Sequence, residues 1–162
     1  MVEFNCPSGY LRTIYYWDDD MTIKEDKVTL WDSNGNKLWL YAVPCERQYK
    51  YVEGEPCITF GIAYENASYK GCDEITIFDQ YLTETIAEIT KVYEEHSGEF
   101  RLYDTGADSD GYVDFKTLSR GSISISGRLG ATFSSNSLTF EFVADQTLLE
   151  PLIQSLLVSQ VE

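Results

Sequence analysis

The chain has 162 residues, 43% hydrophobic, 24% charged and 14% aromatic, which is the make-up of one soluble globular domain with enough core to need no metal or disulfide staple. Twenty-seven acidic against twelve basic side chains give a formal charge of −15. That balance argues against nucleic acid as a partner, because phosphate binding needs a basic patch, and it favours a basic protein. No apolar run is long enough to span a bilayer, and Met1–Tyr10 has neither the basic start nor the apolar stretch of a signal peptide, so a cytoplasmic protein without a membrane partner is expected.

The acidity is uneven. Residues 1–50 carry 8 acids and 6 bases, residues 51–100 carry 11 and 2, and residues 101–162 carry 8 and 4. The middle third therefore holds most of the excess, and its aromatic and β-branched content places that charge on a folded surface rather than a disordered tail.

In chain order, Tyr10–Trp17 reads as an aromatic strand stopped by Asp18-Asp19-Asp20. Lys27–Trp31 and Lys37–Tyr41 flank Asn34-Gly35, the signature of a tight hairpin turn. Strict alternation there predicts an aliphatic face of Val28, Leu30, Leu38 and Leu40 and an opposite face bearing Trp31, Trp39 and Tyr41. A second pair, Gln48–Val52 and Cys57–Tyr64, is separated by Glu53-Gly54-Glu55-Pro56.

From Asp79 the period changes. Leu82, Ile86, Ile89 and Tyr93 recur at helical spacing, with Glu84, Glu88, Lys91 and Glu95 on the opposite face. Asp79 is the expected N-cap and Gly98 the expected left-handed cap, while His96 suits the negative end of the helix dipole better than a catalytic role. Four strands follow, Phe100–Tyr103, Tyr112–Phe115, Ser122–Ser126 and Leu138–Val143, whose alternation is that of an antiparallel meander with one wet face. Leu148, Leu149, Leu152, Ile153, Leu156 and Leu157 then mark a C-terminal helix capped by Asp145 or Glu150, with Pro151 near its first turn. The expected architecture is one α+β domain over residues 1–162, antiparallel and β-rich, with one central helix and a C-terminal helix packed on the sheet.

Few motifs carry chemistry. The cysteines Cys6, Cys45, Cys57 and Cys72 have no CxxC spacing and His96 is the only histidine, so neither a metal nor a cofactor is expected. The cysteines read as reduced, apolar core residues. Leu102-Tyr103-Asp104-Thr105-Gly106-Ala107-Asp108 resembles the active-site loop of retroviral-type aspartic proteases, in which two such aspartates share a proton. The surroundings do not follow that family: 103 residues precede Asp104, no flap has room before Ile125-Ser126-Gly127-Arg128, and Asp110-Gly111 interrupts the strand that should continue. The same stretch, with Asp104, Asp108, Asp110 and Asp114, has the alternating carboxylates of a calcium loop but lacks its closing Glu, so a solvated Asp/Gly turn is the plainer reading. Asp73-Glu74 and Glu94-Glu95 are adjacent carboxylates that would point apart on a helix.

The ordered set formed by the helix Asp79–His96, Gly98-Glu99-Phe100-Arg101-Leu102, Asp110-Gly111-Tyr112-Val113-Asp114-Phe115, Gly121-Ser122-Ile123-Ser124-Ile125-Ser126-Gly127 and Leu138-Thr139-Phe140-Glu141-Phe142 resembles small immunity proteins of the WapI-like kind. These accompany bacterial polymorphic toxins and contact-dependent growth inhibition systems. The resemblance covers residues 79–157 and implies an antitoxin, not an enzyme, that occludes the active site of a basic, nuclease-type toxin C-terminal domain. The acids of the middle third fit that role independently, so the expected toxin contacts are Asp73, Glu74, Glu84, Glu88, Glu94 and Glu95, followed by Asp18, Asp19 and Asp20 and by the Asp104–Asp110 loop. A carbohydrate- or ligand-binding module using the aromatic residues is the alternative, with the aspartic protease behind it. Sequence alone leaves the oligomeric state open.

Overall fold

The computed structural model of the chain describes residues 27–41, 50–52, 55–106, 109–130 and 137–158. The expected strand Tyr10–Trp17 and the Asp18–Asp20 loop lie outside them. The architecture is α+β, built from two antiparallel sheets and two helices.

The first sheet begins with the hairpin of β1 (Val28–Ser33) and β2 (Asn36–Tyr41). Its two turn residues, Asn34 and Gly35, both have positive φ, at 52° and 74°, matching the right-handed twist of the flanking strands. Next come β3 (Lys50–Val52), the twelve-residue β4 (Glu55–Asn66) and β5 (Lys70–Phe78). β2 and β3 occupy successive stretches of one edge of β4, and β5 runs along the other. The helix α1 (Asp79–Glu95) follows directly.

The second sheet is a plain meander of β6 (Glu99–Tyr103), β7 (Tyr112–Thr117), β8 (Ser122–Leu129) and β9 (Leu138–Asp145), each paired with its neighbour in sequence. A short 3-10 turn, Gln146–Leu148, leads into α2 (Leu149–Val158). Strands then helix thus occur twice, with α1 packed on α2.

One continuous core joins both units. Ile58, Phe60, Ile62 and Tyr64 from the first sheet meet Phe115, Ile125, Phe140 and Phe142 from the second, together with the helix residues Leu82, Ile86, Ile89, Leu149, Leu152 and Leu156. Tyr64 is the clearest tie between sheets. Its ring stacks on Phe140 with centroids 4.2 Å apart and lies 5.6 Å from that of Phe142, while its hydroxyl donates to Asn36 Oδ1 at 2.6 Å. The aromatic stack thus gives the core its apolar contact, and Asn36, with Asn66 Nδ2 donating at 3.2 Å, satisfies the one polar atom the ring carries inward.

Several local expectations change. β5 is a full strand that alternation did not reveal, because Asp73 occupies a core-facing position opposite Ile62. In β1 the register shifts between Thr29 and Trp31, a bulge that places Trp31 opposite Leu38 and packs it against the core, away from the face shared by Thr29 and Trp39. Trp31 Nε1 is buried without an acceptor among the described residues. On α1 the N-cap position is Phe78, with no side-chain cap, and Asp79 is already the first helical residue, where its charge still meets the positive end of the dipole. The left-handed C-cap is His96, at φ 52°, rather than Gly98. Val92 completes the buried stripe of Leu82, Ile86 and Ile89, and Tyr93 is half-buried beside it. Asp145 does cap, accepting from the Thr147 amide at 2.9 Å and thereby holding its own carboxyl below the ordinary range, but it caps the 3-10 turn that precedes α2.

Candidate interaction surface

The two sheets differ in their outward faces. On the first, Trp39 stands opposite Ala63 and Tyr41 opposite Gly61. The Tyr41 ring lies so close to Gly61 that any Cβ there would come within 2.0 Å of it, so glycine at this position makes room for an aromatic lid. Ala63 is fully buried and Trp39 is 5% exposed, with Lys27 Nζ 4.3 Å from its ring centroid. The centre of this face is covered, while Lys37 and Glu74 on the same side stay exposed.

The outward face of the second sheet is open and polar. Its register lines up Glu99, Lys116, Ser124 and Val143 in one row, Arg101, Asp114, Ser126 and Glu141 in the next, and Tyr103, Tyr112, Arg128 and Thr139 in the third. Arg101 donates to both Asp114 oxygens, at 2.6 and 2.7 Å, and its guanidinium carbon lies 4.1 Å from the Tyr112 ring centroid. The hydrogen-bonded Asp114 carboxylate pushes the Arg101 pKa further up. Lys116 and Glu99 pair at 3.3 Å. Beyond the third row, Arg101, Tyr103, Asp104, Ser109, Asp110, Gly111 and Tyr112 line a shallow, open recess of about 330 Å³.

The loop that backs this recess is pinned to the first sheet. Thr105 N donates to Thr76 O at 2.8 Å, and Thr105 Oγ accepts from Phe78 N at 3.0 Å. Asp104, 8% exposed, turns its carboxylate onto the Gly106 amide at 2.6 Å, the local bond that makes an aspartate a turn residue.

The expected toxin contacts divide sharply. Asp73 is buried on the core side of β5, where its carboxylate accepts from Ser109 Oγ at 2.7 Å, from the Glu74 amide at 3.0 Å and from the Gly130 amide at 3.1 Å. It is therefore an internal clamp on two loops of the second sheet, and its place among the surface contacts is corrected. Gly111 approaches so closely that a Cβ would come within 2.1 Å of Asp73 Oδ2. Burial raises the Asp73 pKa despite these three donors, with the neighbouring Glu74 charge adding to the rise. Glu74 is exposed, opposite Gly61 on the outward side of the first sheet.

Glu84, Glu88, Glu94 and Glu95 are all exposed on α1. Helical spacing places Glu84, Glu88 and Glu95 along one stripe with Lys91, flanked by Tyr81 at 43% exposure, and sends Glu94 about 100° to one side of Glu95. Asp18, Asp19, Asp20 and Asp108 lie outside the described residues. Among the described residues, no three His, Cys, Asp or Glu side chains come together to hold a metal ion, and no helix is long and apolar enough to cross a membrane. Sequence reasoning missed the recess because its two tyrosines meet only through the β6–β7 register; the exposed position of Tyr103 in an alternating strand was the available signal.

No known family model matches the chain, and no curated protein does. Among solved structures, the crystal structures of Trypanosoma bruciei MRP1/MRP2 are similar over 82% of this chain and 90% of that one, at 12% identity and a TM-score of 0.40.

Proposed function

We propose that the protein is a cytoplasmic immunity protein, an antitoxin that binds a basic, nuclease-type toxin domain and neutralises it by occupying its active site, without chemistry of its own. The observation that carries this reading is the exposed surface of α1, where Glu84, Glu88 and Glu95 form one stripe with the helix's single cation Lys91, and Glu94 and Asp79 are exposed beside it and at the N-terminus. Clustered like charge on a rigid helix steers a cationic partner by long-range attraction, and it resembles the phosphate array such a partner's cleft would bind. The net charge of −15 acts in the same direction. The strand and turn pattern of residues 79–157, with its resemblance to WapI-like immunity proteins, supports the same function.

The deciding experiment is co-expression with the toxin domain encoded immediately upstream. Rescue of growth and a stable purified complex are expected, and the absence of any complex overturns the reading. Reversing Glu84, Glu88 and Glu95 to Lys should then slow association by about tenfold or more at low salt, with the gap narrowing as ionic strength rises and the melting temperature nearly unchanged. Stopped-flow association against salt concentration measures this.

A further inference from the structure

We propose that the outward face of the second sheet is the contact surface for a second copy of this chain, related by a two-fold axis that runs along the strands between β7 and β8. A chain of charge −15 repels its own copies. Contact between them needs a region whose own charges cancel. The three outward rows of this sheet supply one, because Glu99, Asp114 and Glu141 are matched there by Arg101, Lys116 and Arg128. Two exposed apolar side chains share the face, Tyr103 at 49% and Val143 at 54% exposure.

The arrangement of the charges selects the axis. Between β7 and β8, it sets β6 against β9 and β7 against β8 of the second copy, so each residue meets another of its own row. Arg101 then faces Glu141, Lys116 faces Ser124, Asp114 faces Ser126 and Arg128 faces Tyr112, each contact occurring twice. No like charges oppose each other. An axis on β7 would instead set Lys116 against its own copy, and an axis on β8 would set Asp114 against Glu141.

The pairing also fits in shape and in hydrogen bonding. Lys116 and Asp114 come against the small Ser124 and Ser126, which lets the faces approach the spacing of an aligned sheet sandwich, about 10 Å. Arg101 spends Nε and Nη2 on Asp114, and Nη1 remains to donate across the interface. Glu141 is a ready acceptor, since its side chain enters no ion pair or hydrogen bond among the described residues. Four strands and three rows span about 15 Å each way between outermost Cα atoms. That area sits at the lower end of specific interfaces, so the dimer is reversible, with a dissociation constant of roughly tens to hundreds of micromolar. None of these contacts uses α1.

The test is sedimentation velocity of the full chain under reducing conditions, from about 0.01 to 1 mM in roughly 0.15 M salt, which screens the charges distant from the contact. The mass should rise reversibly toward that of a dimer. Glu141→Arg opposes two cations at each Arg101 contact and Arg101→Glu opposes two anions, so each should weaken dimerisation about tenfold or more. Mixing the two variants restores opposite charges at both contacts and should return a one-to-one heterodimer. Both positions are exposed, and a cooperative melt near that of the native chain checks the fold. In the native chain, concentration-dependent amide shifts should centre on Ser124 and Ser126, a readout that needs no variant. A chain that stays monomeric at the highest concentration overturns the proposal. So do dimers of native strength in Glu141→Arg, a mixture that associates no better than either variant alone, or shifts confined to α1 and the first sheet.

Discussion

The first sheet closes its outward side with Trp39 and Tyr41 laid against Ala63 and Gly61, whereas the second leaves its outward side to Arg101, Asp114, Lys116, Ser124, Ser126 and two tyrosines. Both units have the same order of strands then helix. A sheet packed on both faces is held by contacts that tolerate little change, and a sheet packed on one face keeps the other available for recognition. The contrast places the tighter outward packing in the first unit and the open polar face in the second, with the α1 acids between them in sequence.

The strongest challenge to this division is at Tyr64, where the sheets meet. Tyr64→Ala should cost about 3–5 kcal/mol and lower one cooperative urea transition; two separate transitions would mean that the units fold independently. Tyr64→Phe keeps the stack on Phe140 and removes the hydroxyl's bonds to Asn36 and from Asn66, at about 1–2 kcal/mol. The next comparison sets the outward faces against each other. Gly61→Val must displace the Tyr41 ring and should cost about 1–3 kcal/mol, whereas Ser126→Ala on the open face should change stability by no more than about 0.5 kcal/mol. Equal costs would erase the contrast.

A smaller effect is expected from the clamp at Asp73. Its folded pKa is raised, so between the ordinary carboxylate value and that raised value the folded chain holds more protons than the unfolded one. Asp73 therefore makes stability fall as pH rises through this window. Subtracting the profile of Asp73→Asn from that of the native chain should reveal this downward slope, and a difference that is flat or rises with pH contradicts it. Smallest of all is the open-face pair. A double-mutant cycle on Arg101 and Asp114, both well solvated, should return about 0.5–1 kcal/mol.

The same contrast governs what could be read from the chain. Ile123 and Ile125 framed by serines, and Leu138, Phe140 and Phe142 alternating with Thr139 and Glu141, announce strands with one wet face, and the structure extends each by a few residues. The Asn34-Gly35 turn and the helix Asp79–Glu95 were equally legible, because turn chemistry and the 3.6-residue period are local signals. Burial on both faces hides the period. β5 went unread because Gly71 and Asp73 face the core, where they make room for Leu138 and hold Ser109 and Gly130, and both partners are distant in sequence. Trp31 was assigned to the wrong face because a bulge cannot be counted from alternation. Of the candidate contacts, the exposure of Glu84, Glu88 and Glu95 followed from helical spacing. The burial of Asp73 depended on donors from two loops that no local pattern connects to it.

The connectivity of the second sheet has a kinetic consequence. Every pairing among β6, β7, β8 and β9 joins sequence neighbours, so its ladders form by closing short loops. β4 must instead recruit β2 across the intervening β3, a longer loop with a larger entropic cost before any contact rewards it. In refolding followed by pulsed hydrogen exchange, the amides of β7 and β8 should gain protection before those of β2, so the open polar face takes shape first and the other sheet closes onto its inner side.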